Sequence, residues 1–163
     1  MGYALTRSIL IAVALLASAP AFADDKPNPK DSAVIEKCIK AKTGRLWAWE
    51  KCIGLISEPC SKDEGSMTSR EVITCADRER AVWDDILNKS YQALLKALDD
   101  EQQGKLREMQ RAWMASRDKN CEFLYVYFQG TMANPMIAHC LSRATGMQAL
   151  FLRGFADDVA ERK

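Results

Sequence analysis

Six cysteines restrict the folds open to this chain of 163 residues more than any other feature. They are Cys38, Cys52, Cys60, Cys75, Cys121 and Cys140. No Cys-x-x-Cys pair occurs and His139 is the only histidine, so the sequence does not favour a zinc site or any other metal site. An even number of cysteines in an exported chain predicts three disulfides, and the sequence alone leaves their pairing open.

The first 23 residues have the composition of a secretory signal peptide. Arg7 precedes an unbroken apolar run over 9–16, and Ala21 and Ala23 have the small-x-small spacing of a cleavage site. The run is too short to cross a bilayer, which requires about 20 apolar residues. We therefore expect residues 1–23 to be removed and the protein to be periplasmic or secreted. Residues 24–30 are polar, contain two prolines and are expected to form a disordered leader.

The rest of the chain is balanced in charge and long enough for one domain. Removing residues 1–23 from the 163 leaves 140, and we expect a single domain over 31–163. Of the 23 basic residues only Arg7 is removed, so 22 basic residues are matched by 22 acidic ones. This balance argues against nucleic acid and anionic membranes as partners, since both bind basic surfaces. No second apolar run is long enough to anchor the mature chain in a membrane.

Apolar residues recur at helical spacing along nearly the whole mature chain. The predicted helices cover 31–42, 46–57, 70–98, 100–125 and 135–160, with loops at 58–67, 99–104 and 129–135. Thr68 and Glu71 have the spacing of a capping box, and Asp99 or Asp100 can cap the next helix. No strand pattern is evident. The predicted fold is all-α, a small disulfide-stapled helical bundle, in which 31–42 and 46–57 form a short hairpin and 70–98 and 100–125 a central antiparallel one.

Polar residues interrupt the apolar faces of the central hairpin. An antiparallel register about the turn near 100–101 places Asp84 near Asp118, one turn or less from Arg117, and Tyr91 opposite the region from Arg111 to Trp113. We expect Arg117 to pair with Asp84, and Gln110 to complete a partly buried network with Asn88. Such a network would fix the register of the helices, because a buried polar group without a partner costs roughly 1–3 kcal/mol. The alternative is a catalytic cluster, which would need a usefully titrating group in a cleft.

The sequence predicts no catalytic residue and no cofactor. His139 has no free cysteine partner if all six cysteines are oxidised, and neither a Gly-x-Ser-x-Gly motif nor a glycine-rich phosphate loop occurs. His139 is expected on a helix surface or at a helix end. Adjacent carboxylates such as Asp84 and Asp85 diverge on a helix and so cannot act as a pair.

Three segments resemble a known family. They are "WDDILNKSYQALL" (83–95), "MQRAWMASRDKNC" (109–121) and "CLSRAT" (140–145), and they are similar to the domain named after the lysozyme inhibitor LprI. The resemblance covers about residues 60–152. The motif positions, to which we assign structural roles, are Trp83, Asp84, Leu87, Asn88, Tyr91, Gln110, Arg111, Trp113, Arg117, Asp118 and Thr145. Gln148 stands where the family often has arginine, and Gln129-Gly130 where it often has paired glycines.

The resemblance implies an all-helical periplasmic or secreted domain. It also implies the bridges Cys60–Cys75 and Cys121–Cys140, which leaves Cys38 to pair with Cys52. By the family's name we expect a non-enzymatic binding or inhibitor module with a protein partner, such as a lysozyme or another cell-wall hydrolase. A structural or stress-response protein without inhibitory action and a cell-envelope hydrolase are the alternatives, because function resides in sites and not in folds.

An aromatic stretch near the end of the fourth predicted helix contains Phe123, Tyr125, Tyr127 and Phe128. Aromatic side chains at helical spacing usually pack inward, so we expect most of this cluster in the core. Tyr125 and Tyr127 cannot both face inward on one helix, so at least one is expected to be exposed. The other interpretation is a surface that anchors a protein partner.

Overall fold

The computed structural model describes residues 26–41, 49–62 and 65–162. The predicted signal peptide lies outside these ranges, as do the first two residues of the predicted leader. The described elements are α1 (Pro29–Ala41), a 3-10 turn (Glu50–Cys52), α2 (Ser57–Cys60), α3 (Ser69–Ala97), α4 (Asp100–Phe128) and α5 (Ala133–Glu161). No strand occurs in the described ranges. The predicted all-α, disulfide-stapled bundle is confirmed.

Both long helices of the central hairpin begin at capping boxes. The backbone N–H of Thr68 donates to the Glu71 carboxylate at 2.7 Å, and the N–H of Glu71 donates back to the Thr68 hydroxyl at 3.4 Å. Asp99 accepts from the N–H of Gln102 at 2.9 Å, and the Gln102 side chain accepts from the N–H of Asp99. Each box satisfies N–H groups that a helix start leaves unpaired. The predicted starts of α3 and α4 are confirmed.

The predicted helix over 46–57 is wrong from Glu50 onward, whereas Trp49, the first described residue of that range, is helical. From Glu50 the chain forms only the short 3-10 turn, and Ile53 is then extended with ψ 132°. Gly54 follows with φ 99°, a left-handed conformation that favours glycine and ends any helix. The short α2 then begins at Ser57, at the edge of the loop predicted for 58–67. The physical reason is a long-range contact with α3, described below.

The core forms where α3 packs closely along α5. Trp83 of α3 and Leu150 and Leu152 of α5 are fully buried there. Gly146 allows this close approach, because a Cβ at that position would lie 3.1 Å from Ile53 and 3.2 Å from Trp83. This glycine therefore has a packing function that outweighs its cost to helix stability.

Two ion pairs fasten α1 to the bundle. Its buried Asp31 accepts two hydrogen bonds from the Arg78 guanidinium of α3, one of them at 2.6 Å. Glu36 accepts from Arg153 of α5 at 3.1 Å. Ile35 inserts into the core between these pairs. The helix begins at Pro29, so the last two residues of the predicted leader are helical.

Three disulfides staple the described helices. Cys38 is bonded to Cys52, Cys60 to Cys75 and Cys121 to Cys140, with Cα–Cα distances of 5.8, 5.6 and 5.6 Å. None of the six cysteines is free. These are the pairs that the family resemblance implies. The first two bridges hold the segment 49–60 against α1 and α3, and the third joins the last part of α4 to α5.

Candidate functional site

The side chain of Glu79 explains why the segment after Cys52 is not helical. Glu79 lies in α3, is fully buried and accepts from the backbone N–H groups of Gly54 at 2.6 Å, Ile56 at 2.9 Å and Ser57 at 2.8 Å. The Ser57 hydroxyl and the indole N–H of Trp83 donate to the same carboxylate at 2.9 and 3.0 Å. In the sequence, Glu79 lies among the apolar residues of its helix. A charged residue at such a position was the one feature of the sequence that could have predicted this buried contact.

Hydrogen bonding keeps the buried Glu79 ionised. Burial acts to raise the pKa of its carboxyl group, but the N–H donors of Gly54, Ser57, Trp83 and Ile56 outweigh burial and hold the pKa below its ordinary value of 4.5. All five donors are supplied by the protein itself. Glu79 is therefore a structural clamp and has no free capacity to bind a ligand.

The predicted polar positions line an open groove between α3 and α4, which we call the α3–α4 groove. Its lining residues are Asp84, Leu87, Asn88 and Tyr91 from α3, and Arg107, Gln110, Arg111, Trp113, Met114 and Arg117 from α4. The cavity volume is about 330 Å³. The antiparallel register predicted from the turn brings these residues to one place. They form the walls of a groove and not a sealed core network.

The expected ion pair between Arg117 and Asp84 is replaced by a local one. Within the described part of the chain, the Arg117 guanidinium bonds at 2.8 Å to the neighbouring Asp118 and not to Asp84. Its carbon atom Cζ lies 5.0 Å from the centre of the Trp113 ring, a cation–π contact. The predicted register indicated which residues of the two helices lie level with each other. It could not show that Arg117 pairs with its neighbour Asp118 and not with a residue of the opposite helix.

The expected network between Gln110 and Asn88 is also wrong. Gln110 is buried and its side-chain oxygen accepts from the amide of Gln148 on α5 at 3.0 Å, whereas Asn88 is exposed. A neutral amide pair therefore joins α4 to α5 at this position.

The groove carries more positive than negative charge. Three arginines, Arg107, Arg111 and Arg117, line it against the single carboxylate of Asp84. Burial raises the pKa of Asp84 above its ordinary value of 3.8, although the charges of Arg80 and Arg117 act to lower it. Arg111 is exposed and makes no hydrogen bond or ion pair with the described residues.

Three other motif positions lie outside the groove, and Leu87, which lines it, is buried. Trp83 is buried in the core, and the buried Thr145 donates its hydroxyl to the Leu141 carbonyl at 2.7 Å. Asp118 is exposed at the rim, paired with Arg117. The motif thus combines core residues with residues that line the groove. His139 is partly buried near the start of α5, beside Met132 and Met136 in a separate surface pocket.

The expectation that most of the aromatic stretch is core is wrong. Phe123, Tyr125, Val126, Tyr127 and Phe128 are 62, 58, 69, 68 and 39 % exposed, and we call these five residues the aromatic end of α4. No residue of α4 beyond Cys121 is buried. Helical spacing shows which residues share a face, but it cannot show whether another element covers that face.

The aromatic end is ordered by its own contacts and by a disulfide at its base. The ring of Tyr127 lies 6.0 Å from that of Phe123 and 5.0 Å, edge to face, from that of Phe128. The Cys121–Cys140 bridge joins the base of this segment to α5. Glu122 is the only charged residue in the sequence between 120 and 138. The result is a nearly uncharged aromatic surface on a fixed support.

The fold and these two surfaces define a small, disulfide-stapled helical bundle with an open polar groove and an exposed aromatic helix end. A family model described as "Lysozyme inhibitor LprI" matches residues 60–152. The match spans more than half of the chain, and the protein belongs to this family. It includes α3, α4, most of α5 and both surfaces, whereas α1 and the 3-10 turn lie before it. Searches of curated proteins and of solved structures found no significant match.

Proposed function

We propose that this protein is a non-enzymatic inhibitor module that acts outside the cytoplasm by binding a cell-wall hydrolase. The family's name supplies lysozyme as the first candidate partner. Three disulfides suit an oxidising compartment, and the signal-like residues 1–23 support a periplasmic or secreted protein. Within the described ranges no helix combines the length and the apolar character needed to cross a membrane.

The aromatic end of α4 is the observation that carries this proposal. Its five residues are consecutive or nearly so, and steps of 100° per residue distribute them around the helix. The high exposure of these five residues, beside the partly buried Leu124, means that this end of α4 extends largely uncovered from the bundle. Aromatic residues that are exposed, uncharged and fixed in place are typical anchors of protein interfaces.

A projecting aromatic segment suits the shape of the proposed partner. Glycoside hydrolases bind their substrate in a cleft in which two carboxyl groups flank the bond to be cleaved. A convex helix end can enter such a cleft and exclude the substrate without any chemistry of its own. The disulfide at Cys121 reduces the entropy lost on binding, because the segment is already held in place.

Clearing of a cell-wall suspension tests the proposal. Lysozyme is assayed with and without the purified oxidised protein, and with the same protein after reduction as a control. We expect the oxidised protein to slow clearing in a dose-dependent way. Unchanged clearing at high molar excess over several lysozymes would leave the structural or stress-response alternative, and clearing by the protein alone would favour the envelope hydrolase.

A further inference from the structure

The α3–α4 groove has charged side chains that form no ion pair with the described residues. Arg111 forms no hydrogen bond or ion pair with the described residues, and Arg107 bonds only to the neutral Gln103 at 3.0 Å. Asp84 on the opposite wall is half-buried and likewise forms no hydrogen bond or ion pair there. Charged groups in a concave site that are not engaged in holding the fold are available to a ligand.

The positions of these charges indicate an anionic group. Arg107 and Arg111 are four residues apart on α4, so they lie on one side of the groove, one helical turn from each other. A guanidinium presents paired N–H donors that match the two oxygens of a carboxylate. Arg117 is already paired with the exposed Asp118 at the rim of the groove. Arg111 is therefore the arginine whose N–H donors are most available to a ligand.

Four of the other lining residues are of types that can bind a sugar. Asp84 and Asn88 lie one turn apart on α3 and offer acceptors and donors for hydroxyl groups. Tyr91 and Trp113 supply partly buried aromatic surface beside them. A volume of about 330 Å³ is at the small end of ligand pockets, which suits one or two sugar rings and not a folded protein segment.

We propose that the α3–α4 groove binds a carboxylate-bearing saccharide, the chemistry of an acidic sugar of the bacterial cell wall. Arg111, with Arg107, holds the carboxylate, and Asp84 and Asn88 bind hydroxyl groups. Bound in this way, the module is held at the wall while the aromatic end of α4, at a different place on the same helix, stays free. This inference does not depend on hydrolase inhibition, since the two surfaces are separate.

Calorimetric titration with matched ligands tests the inference. The probes are the disaccharide of N-acetylglucosamine and N-acetylmuramic acid, its analogue diacetylchitobiose without the lactyl carboxylate, and free D-lactate. We expect the muramyl disaccharide to bind at least about tenfold more tightly than either of the others. No binding of the disaccharide, or equal binding of the analogue or of D-lactate, would overturn the proposal.

A pair of arginine variants places the binding in the groove. Arg111→Gln removes an exposed guanidinium that forms no hydrogen bond or ion pair with the described residues, and we expect binding of the muramyl disaccharide to weaken about tenfold. Arg143→Gln removes another exposed guanidinium, on α5 and outside the groove, and is expected to leave binding unchanged. Unfolding in urea shows that both variants are folded. Equal effects of the two substitutions, or none from Arg111→Gln, would contradict the placement.

Discussion

The carboxylate of Glu79 and the backbone N–H of Gly54, 25 residues apart in sequence, are joined by a hydrogen bond of 2.6 Å. This contact and its neighbours at Ile56 and Ser57 bind an irregular segment to α3 between two disulfide-bonded cysteines, Cys52 and Cys60. The segment then packs Ile53 against Gly146 of α5. Glu79 therefore connects the first part of the chain to the helices that carry both proposed binding surfaces.

Replacing Glu79 with glutamine should strongly destabilise the protein. Glu79→Gln removes the charge and turns an NH2 group toward backbone donors, and a buried N–H group left without an acceptor costs about 1–3 kcal/mol. The free energy of unfolding in urea measures this loss. Glu58→Gln, at an exposed position of α2, is the control and should change it by less than about 0.5 kcal/mol. Equal stability of the Glu79 variant and the parent protein would show that the clamp is unimportant.

The same carboxylate should make stability depend on pH. Its pKa is depressed in the folded protein, so the folded state favours the ionised form. That contribution is fully present above the ordinary pKa of 4.5 and is lost as the pH falls through the lower folded value. The difference in unfolding free energy between the parent and Glu79→Gln should therefore shrink from neutral pH toward acid. A difference that stays constant with pH would contradict this account.

Asp84 should have the opposite effect on stability. Its pKa is raised in the folded protein, mainly by burial, so its charged form costs stability at pH values above the ordinary 3.8. Asp84→Asn should raise the urea midpoint at neutral pH, with a gain of less than about 1 kcal/mol in the free energy of unfolding, as expected where a binding site is not optimised for stability. Asp85→Asn is the control, because it breaks the 2.6 Å pair with Lys89 and should slightly lower the midpoint. A lower midpoint for Asp84→Asn would contradict the prediction.

Local signals in the sequence predicted the helices well, and long-range contacts account for the errors. The capping box at Thr68 acts over three residues and could be read directly. The helix expected over 46–57 failed because Glu79, more than 20 residues away, captures the N–H groups that the helix would have used. Periodicity found the residues of the α3–α4 groove, but which atoms meet there depended on neighbours such as Asp118 and Gln148.

The aromatic end of α4 shows a different limit of the sequence. Periodicity assigns Phe123 and Tyr127 to one face, and burial of that face would require another element to cover it. None of the described elements does so: no residue of α4 beyond Cys121 is buried, although the Cys121–Cys140 bridge joins α4 to α5 just before this segment. Whether an amphipathic end is core or surface is decided by tertiary topology.

Removing the Cys121–Cys140 bridge should loosen the aromatic end of α4. The double substitution Cys121→Ala/Cys140→Ala opens a loop with a sequence separation of 19 residues. We expect a loss of about 3 kcal/mol in unfolding free energy and faster amide hydrogen exchange over 122–128. The control Cys38→Ala/Cys52→Ala opens a loop of similar size, with a separation of 14, at a distance from α4 in the chain. Equal exchange over 122–128 in both variants would show that the bridge does not order this segment.

The most direct test of the central claim is inhibition by two matched variants of exposed aromatic pairs. Phe123 and Tyr127 lie four residues apart at the end of α4, and Phe151 and Phe155 lie four apart on α5 with ring centres 5.0 Å from each other. The measurement is hydrolysis by lysozyme of a soluble N-acetylglucosamine oligomer, a substrate without the carboxylate that we propose for the groove. We predict that Phe123→Ser/Tyr127→Ser weakens inhibition at least about tenfold while Phe151→Ser/Phe155→Ser inhibits like the parent protein. Full inhibition by the Phe123/Tyr127 variant would contradict the claim that the aromatic end of α4 binds the hydrolase.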